Sequence, residues 1–165
     1  MSKFIIAALF LFLLSPAIQA QPSTFPSFNL PDPQGGMHSS AQLLAHGVVA
    51  IVSAPTLHDK SAQQGWASAL VATKGSNPGS LILIEDMQAS AFKGMAQSEM
   101  KKDWHPGVLP ILLEDNTGKV HGAFGIGKDE TKVFVFDKSG KMVYSTAMPP
   151  SEAAAKTVWS KLSSS

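Results

Sequence analysis

The sequence predicts an α/β domain with a central mixed β-sheet flanked by helices. Three observations carry that expectation. Unbroken apolar runs, rich in β-branched residues, lie at Val48 to Val52, Leu81 to Ile84 and Ile111 to Leu113, and such runs suit strands buried on both faces of a sheet. Segments of helical spacing separate these runs. A hairpin and one more helix then follow, so the sheet must mix parallel and antiparallel pairs. The length of 165 residues suits one domain.

The elements can be justified in order. Lys3, the apolar run Phe4 to Leu14, the break at Ser15-Pro16 and the small residues around Ala20 follow the order of a secretory signal peptide. Residues 1–20 are therefore expected to be a leader and residues 21–165 the domain. The apolar run is about half the ~20 residues that a membrane-spanning helix needs, so no membrane span is expected once the leader is cleaved. Residues 21–36 mix Pro, Gly, Ser and Asn with Phe25, Phe28 and Leu30, and read as an extended lead-in turning at Gly35-Gly36. Ser39 or Ser40 is expected to cap a short helix carrying Leu43 and Leu44, ended by Gly47. After the first buried strand, the loop Ser53-Ala54-Pro55-Thr56-Leu57-His58 leads to Asp59, the N-cap expected for a helix running to about Lys74 with Trp66 and Leu70 inward. The second strand ends in Glu85-Asp86. Phe92, Met95, Ala96 and Met100 recur at helical spacing, and Phe92 and Met95 are expected, like Trp66, to be core residues. Val133 to Phe136, the turn Asp137-Lys138-Ser139-Gly140-Lys141 and Met142 to Tyr144 read as a hairpin. Pro149-Pro150-Ser151 opens the last helix, with Val158, Trp159 and Leu162 as its apolar residues.

Composition excludes several kinds of chemistry. All thirteen Lys and Arg positions are lysine, and loss of Lys3 with the leader leaves twelve against twelve acidic residues. A formally neutral domain argues against nucleic acid or an anionic membrane as partner, since both need a basic surface. Without arginine, bidentate guanidinium recognition of phosphate or carboxylate cannot be made. Without cysteine, neither disulfides nor thiol–disulfide chemistry can occur. No phosphate loop and no nucleophile elbow is present. Met37, His38, His46, His58, His105 and His121 are scattered without ligand spacing, so neither a metal nor another cofactor is expected.

The motifs also share an order with a known group. Phe25-Pro26-Ser27-Phe28-Asn29-Leu30-Pro31-Asp32, then Gly35-Gly36, Ser39, Leu44 and Gly47-Val48-Val49, resembles the opening of peroxiredoxin and TlpA-like thioredoxin-fold proteins. Leu112 to Val120 followed by Phe124-Gly125-Ile126, and Val133 to Lys141, resemble the later segments of the same group. The resemblance covers residues 25–162 and implies a thioredoxin-like fold. It also implies where the active site of that group would fall: near Leu57 and Lys60 for the cysteines, and near Thr131 for the cis-proline. None of these positions carries the expected residue. A cysteine-free branch, the periplasmic proteins of YtfJ type, is more similar still. Its polar stretch in place of the cysteine motif resembles Ala54 to Ala62, its lysine-rich helix resembles Lys101-Lys102-Asp103-Trp104, and its two Asp-x-x-Gly turns resemble Asp115 to Gly118 and Asp137 to Lys141.

These readings together predict an exported, periplasmic or secreted, non-catalytic binding or scaffold module of the cell envelope. Its partner would be another envelope protein or an extended peptide, held at Thr56, Leu57, His58, Asp59, Lys60 and Thr131. The alternative keeps the same loop for a small molecule, a metal or a non-thiol reaction, with His58 as base or ligand.

Overall fold

The computed structural model describes residues 20–54, 60–91, 93–127 and 129–165. Residues 1–19 of the expected leader lie outside these, as do Phe92 and residues 55–59.

The chain opens with two short antiparallel strands, β1 (Asn29–Pro31) and β2 (Met37–Ser39). Ser39 then caps α1 (Ser40–Leu43) in a capping box: its hydroxyl accepts from the Gln42 N–H, and the Gln42 side chain accepts from the Ser39 N–H. This settles which of the two adjacent serines makes the cap, because only Ser39 has a glutamine three residues later. A 3-10 turn over residues 44–46 ends at Gly47, whose φ is +81°. A Cβ there would sit 2.9 Å from the Phe136 carbonyl oxygen, so both the turn and the close approach require glycine.

Five strands make the main sheet: β3 (Val48–Ser53), β4 (Ser80–Asp86), β5 (Ile111–Asp115), β6 (Lys132–Phe136) and β7 (Met142–Thr146). Their order is β5-β4-β3-β6-β7. The β3–β4 and β4–β5 pairs are parallel, while β6 runs antiparallel to β3 and β7 antiparallel to β6. The expected mixed sheet is thus present, and every residue of β3, its central strand, is buried.

Strand alternation divides the core in two. One face carries Val49, Ile51, Leu81, Leu83, Leu112, Val133 and Val135, packed against α2 (Lys60–Thr73) and α5 (Glu152–Ser163). Trp66 and Leu70 face inward from α2; Val158, Trp159 and Leu162 do so from α5. The Trp159 indole N–H donates to the Leu70 carbonyl at 3.0 Å, which locks the two helices together where a buried indole needs a partner. The other face carries Val48, Ala50, Val52, Ile84, Phe134 and Phe136 beneath the lead-in and α4 (Lys119–Ala123). Phe25 packs on Phe136 and Phe124 on Phe134, each with ring centroids 5.0 Å apart.

The helix between β4 and β5, α3 (Lys93–Asp103), corrects one expectation. Met95 is 64% exposed and is not a core residue. Met100 and the buried Trp104 make the contact with the core instead. They lie four residues apart, so they share one face of the turn at which the helix ends. Met95 falls off that face.

No helix among the described residues is long and apolar enough to cross a membrane.

Candidate functional site

The place to build from is the end of the sheet at which β3, β4 and β5 all stop. Parallel neighbours in matching register bring like to like: Glu85 lies opposite Glu114, and Asp86 opposite Asp115. Ser53, the last residue of β3, lies opposite Glu85. Across the other edge of β3, Val52 pairs with Lys132, so the register carried one residue further sets Ser53 beside Thr131. Alternation continues from Ile51, Leu83, Leu112 and Val133 on the α2/α5 face. Glu114, Glu85, Ser53 and Thr131 therefore form one polar row on that face, on four adjacent strands or their immediate ends.

The row is nine-tenths buried or more throughout: Ser53 is 0%, Glu85 3%, Glu114 7% and Thr131 9% exposed. The Ser53 hydroxyl reaches Glu85 Oε2 at 3.5 Å. Glu114 accepts from the Gln97 side-chain amide at 3.2 Å, and the same amide donates to Asn116 Oδ1 at 3.2 Å. Among the described residues the Thr131 hydroxyl is buried without a hydrogen-bond partner, an unusual condition for a polar atom in a folded interior. A groove of about 370 Å³ between the lead-in at Ser27–Pro31 and the β5–α4 turn reaches Glu114 at one end of the row.

The aspartates one residue on point to the opposite face and are used differently. Asp115 is fully buried and accepts from the Thr117 N–H, the Thr117 hydroxyl and the His121 N–H at 3.2, 3.0 and 2.8 Å. Asp86 accepts from the N–H groups of Gln88 and Ala89 at 3.0 and 3.3 Å, and its carboxylate lies 3.7 Å from His121 Nδ1. Each aspartate closes the turn that follows its own strand.

The predicted site residues are distributed as follows. Thr56, Leu57, His58 and Asp59 lie outside the described residues. Lys60 is the first residue of α2 and is exposed. Thr131 stands immediately before β6, where the resemblance puts a cis-proline; the cis peptide bond among the described residues is at Leu109–Pro110, ahead of β5. Sequence reasoning missed Ser53, Glu85, Glu114 and Gln97. A signal for two of them was visible, since the same Glu-Asp doublet ends two successive apolar runs.

A mixed sheet with a central β3–α2 unit, an antiparallel β6–β7 hairpin and a closing helix decides the fold. The chain has a thioredoxin-like fold. It is similar to the pneumococcal exposed lipoprotein thioredoxin Etrx1 from Streptococcus pneumoniae, at 14% identity and a TM-score of 0.62 over 83% of this chain and 100% of that one. StoA from Bacillus subtilis matches at 12% identity and a TM-score of 0.64, over 84% and 99% of the two chains. A thiol:disulfide interchange protein of the thioredoxin family from Chlorobium tepidum matches at 19% identity and a TM-score of 0.63, over 87% and 97%. No family model and no curated protein matches the sequence. This thioredoxin-like domain has no cysteine, so thiol–disulfide exchange, which requires an attacking thiolate, is closed to it. Among the described residues, no group of three His, Cys, Asp or Glu side chains is placed to hold a metal ion.

Proposed function

We propose that the protein is an exported, non-catalytic binding module of the cell envelope, which holds an extended peptide or a partner protein at the degenerate active-site end of its sheet. One observation carries the reading: the fold is similar to that of a thiol:disulfide interchange protein over 87% of the chain, while the chain contains no thiol. Such a scaffold can bind without thiol chemistry. An extended segment can be held through main-chain hydrogen bonds beside a strand, with side-chain pockets for specificity, and this needs no cysteine. Thr131 immediately precedes β6, and Lys60 opens α2, so binding through Thr56, Leu57, His58, Asp59, Lys60 and Thr131 would join the two sides of that end of the sheet. The apolar, positively started leader supports export into an envelope compartment, periplasmic in a bacterium with two membranes.

The test replaces His58, Asp59 and Lys60 together with alanine in the full chain and compares co-purification from the native envelope. The variant is expected to remain folded, with a midpoint lowered by no more than the few degrees that loss of the expected Asp59 cap costs, and to lose its partner. Unchanged partner recovery would move the binding surface elsewhere.

A further inference from the structure

We propose that Gln21 is a modification site: once the leader is removed after Ala20, its α-amine closes on its own side-chain amide, giving a pyroglutamyl terminus whose ring carbonyl docks on Ser145. The proposal rests on the export part of the reading above and adds to it the chemical form of the mature chain.

The residues at the boundary set the chemistry. The small residues Ala17 and Ala20 place the cut before Gln21, which then carries a free α-amine. Attack of that nitrogen on Cδ of the same residue closes a five-membered ring, with the advantage that any intramolecular reaction has from proximity. The N–Cδ bond forms and the Cδ–Nε2 bond breaks. A proton passes from the α-nitrogen to Nε2, which leaves as ammonia. Nothing is oxidised or reduced, and no co-reactant is required. An α-amine ordinarily titrates close to neutral pH, so its uncharged, nucleophilic form is present under physiological conditions.

The fold leaves this terminus free to close. Gln21 is exposed, and among the described residues its backbone makes no hydrogen bond to other backbone groups. Anchoring starts at Ser23, whose carbonyl accepts from the Met142 N–H at 2.9 Å. Thr24 then bridges to Lys141, and the Phe25 N–H donates to the Gly140 carbonyl at 2.7 Å. The lead-in is thus laid along the start of β7, an edge of the main sheet, and this holds Gln21 beside Ser145. There the Ser145 hydroxyl donates to Gln21 Oε1 at 2.9 Å. Oε1 is the atom that ring closure keeps, as the lactam oxygen. Nε2, the atom that is lost, makes no hydrogen bond among the described residues. The hydrogen bond that holds the side chain is therefore one the product can also make. A donor on Oε1 also stabilises the negative charge that gathers there during the attack.

The experiment purifies the full chain from its own envelope and records its intact mass and its N-terminal Edman sequence. The mass should be about 17 Da, one ammonia, below that of unmodified residues 21–165. Edman degradation, which needs a free amine, should give no sequence. Gln21→Ala should restore the full mass of its own mature chain and be readable from residue 21. Ser145→Ala should keep the mass loss while the amide hydrogens of the N-terminal peptide exchange severalfold faster; unchanged exchange would overturn the docking. A full-mass chain starting at Gln21, or one cut at another residue after the leader's apolar run, would overturn the modification and leave export standing. A chain that keeps Met1 and is recovered outside the envelope would overturn both.

Discussion

The two faces of the sheet end differ by one residue of register and by everything their carboxylates do. On the α4 face, Asp86 and Asp115 are tied to the backbone of the turns they close, Asp115 with three donors directed at it. On the α2/α5 face, Glu114 accepts from a neutral amide and the Thr131 hydroxyl has no hydrogen-bond partner among the described residues. The aspartate of each Glu-Asp doublet thus closes a turn, while Glu114 on the other side takes a hydrogen bond from a neutral amide. Saturated polar groups mark places where the fold is being held, and undersatisfied ones mark places where something else is accommodated.

The largest effect should come from breaking the saturated side. Asp115→Ala leaves three donors facing a cavity and should cost about 3 kcal/mol or more, read as a drop in the urea midpoint at unchanged slope. The other side sharpens the contrast, because its groups contribute little to stability. Glu114→Gln should change stability by no more than about 1 kcal/mol in either direction, and a loss matching that of Asp115→Ala would erase the distinction between the faces. Thr131→Val should be neutral or stabilising by about 1 kcal/mol, since it removes a buried hydroxyl that has no partner.

A smaller, pH-dependent effect belongs to Asp32 in the β1–β2 turn. Burial raises its pKa, but hydrogen bonds from His38 (2.8 Å) and from the N–H groups of Gly36 and Gln34 outweigh burial and hold it below the usual aspartate value. A depressed folded-state pKa adds stability that is complete above the unfolded-state value and is lost as pH falls through the folded one. Unfolding midpoints measured downward from pH 6 should therefore fall more steeply for the native chain than for Asp32→Asn. Parallel curves would remove Asp32 as the cause.

Much of the fold was legible in the residues. The buried strands announce themselves as apolar runs, and Ser39, Gly47 and Ser151 punctuate the helices as capping chemistry requires. Met95 was misread because period alone does not say which apolar residue of a weakly amphipathic helix faces inward; the buried Trp104 at the helix end decided it. The position of Thr131 followed from the family resemblance. The polar row did not follow from anything local. Glu85 and Glu114 are 29 residues apart in sequence, and only the parallel register between β4 and β5 makes them neighbours.

The central claim, that this thioredoxin-like domain binds a protein partner and performs no chemistry of its own, is tested most directly by native mass spectrometry. The protein would be purified gently from its own envelope and its intact mass recorded. The account predicts residues 21–165 in a defined complex with a second polypeptide. A lone chain carrying a metal or small molecule would contradict it and turn attention to the loop around His58 as a ligand or reaction site.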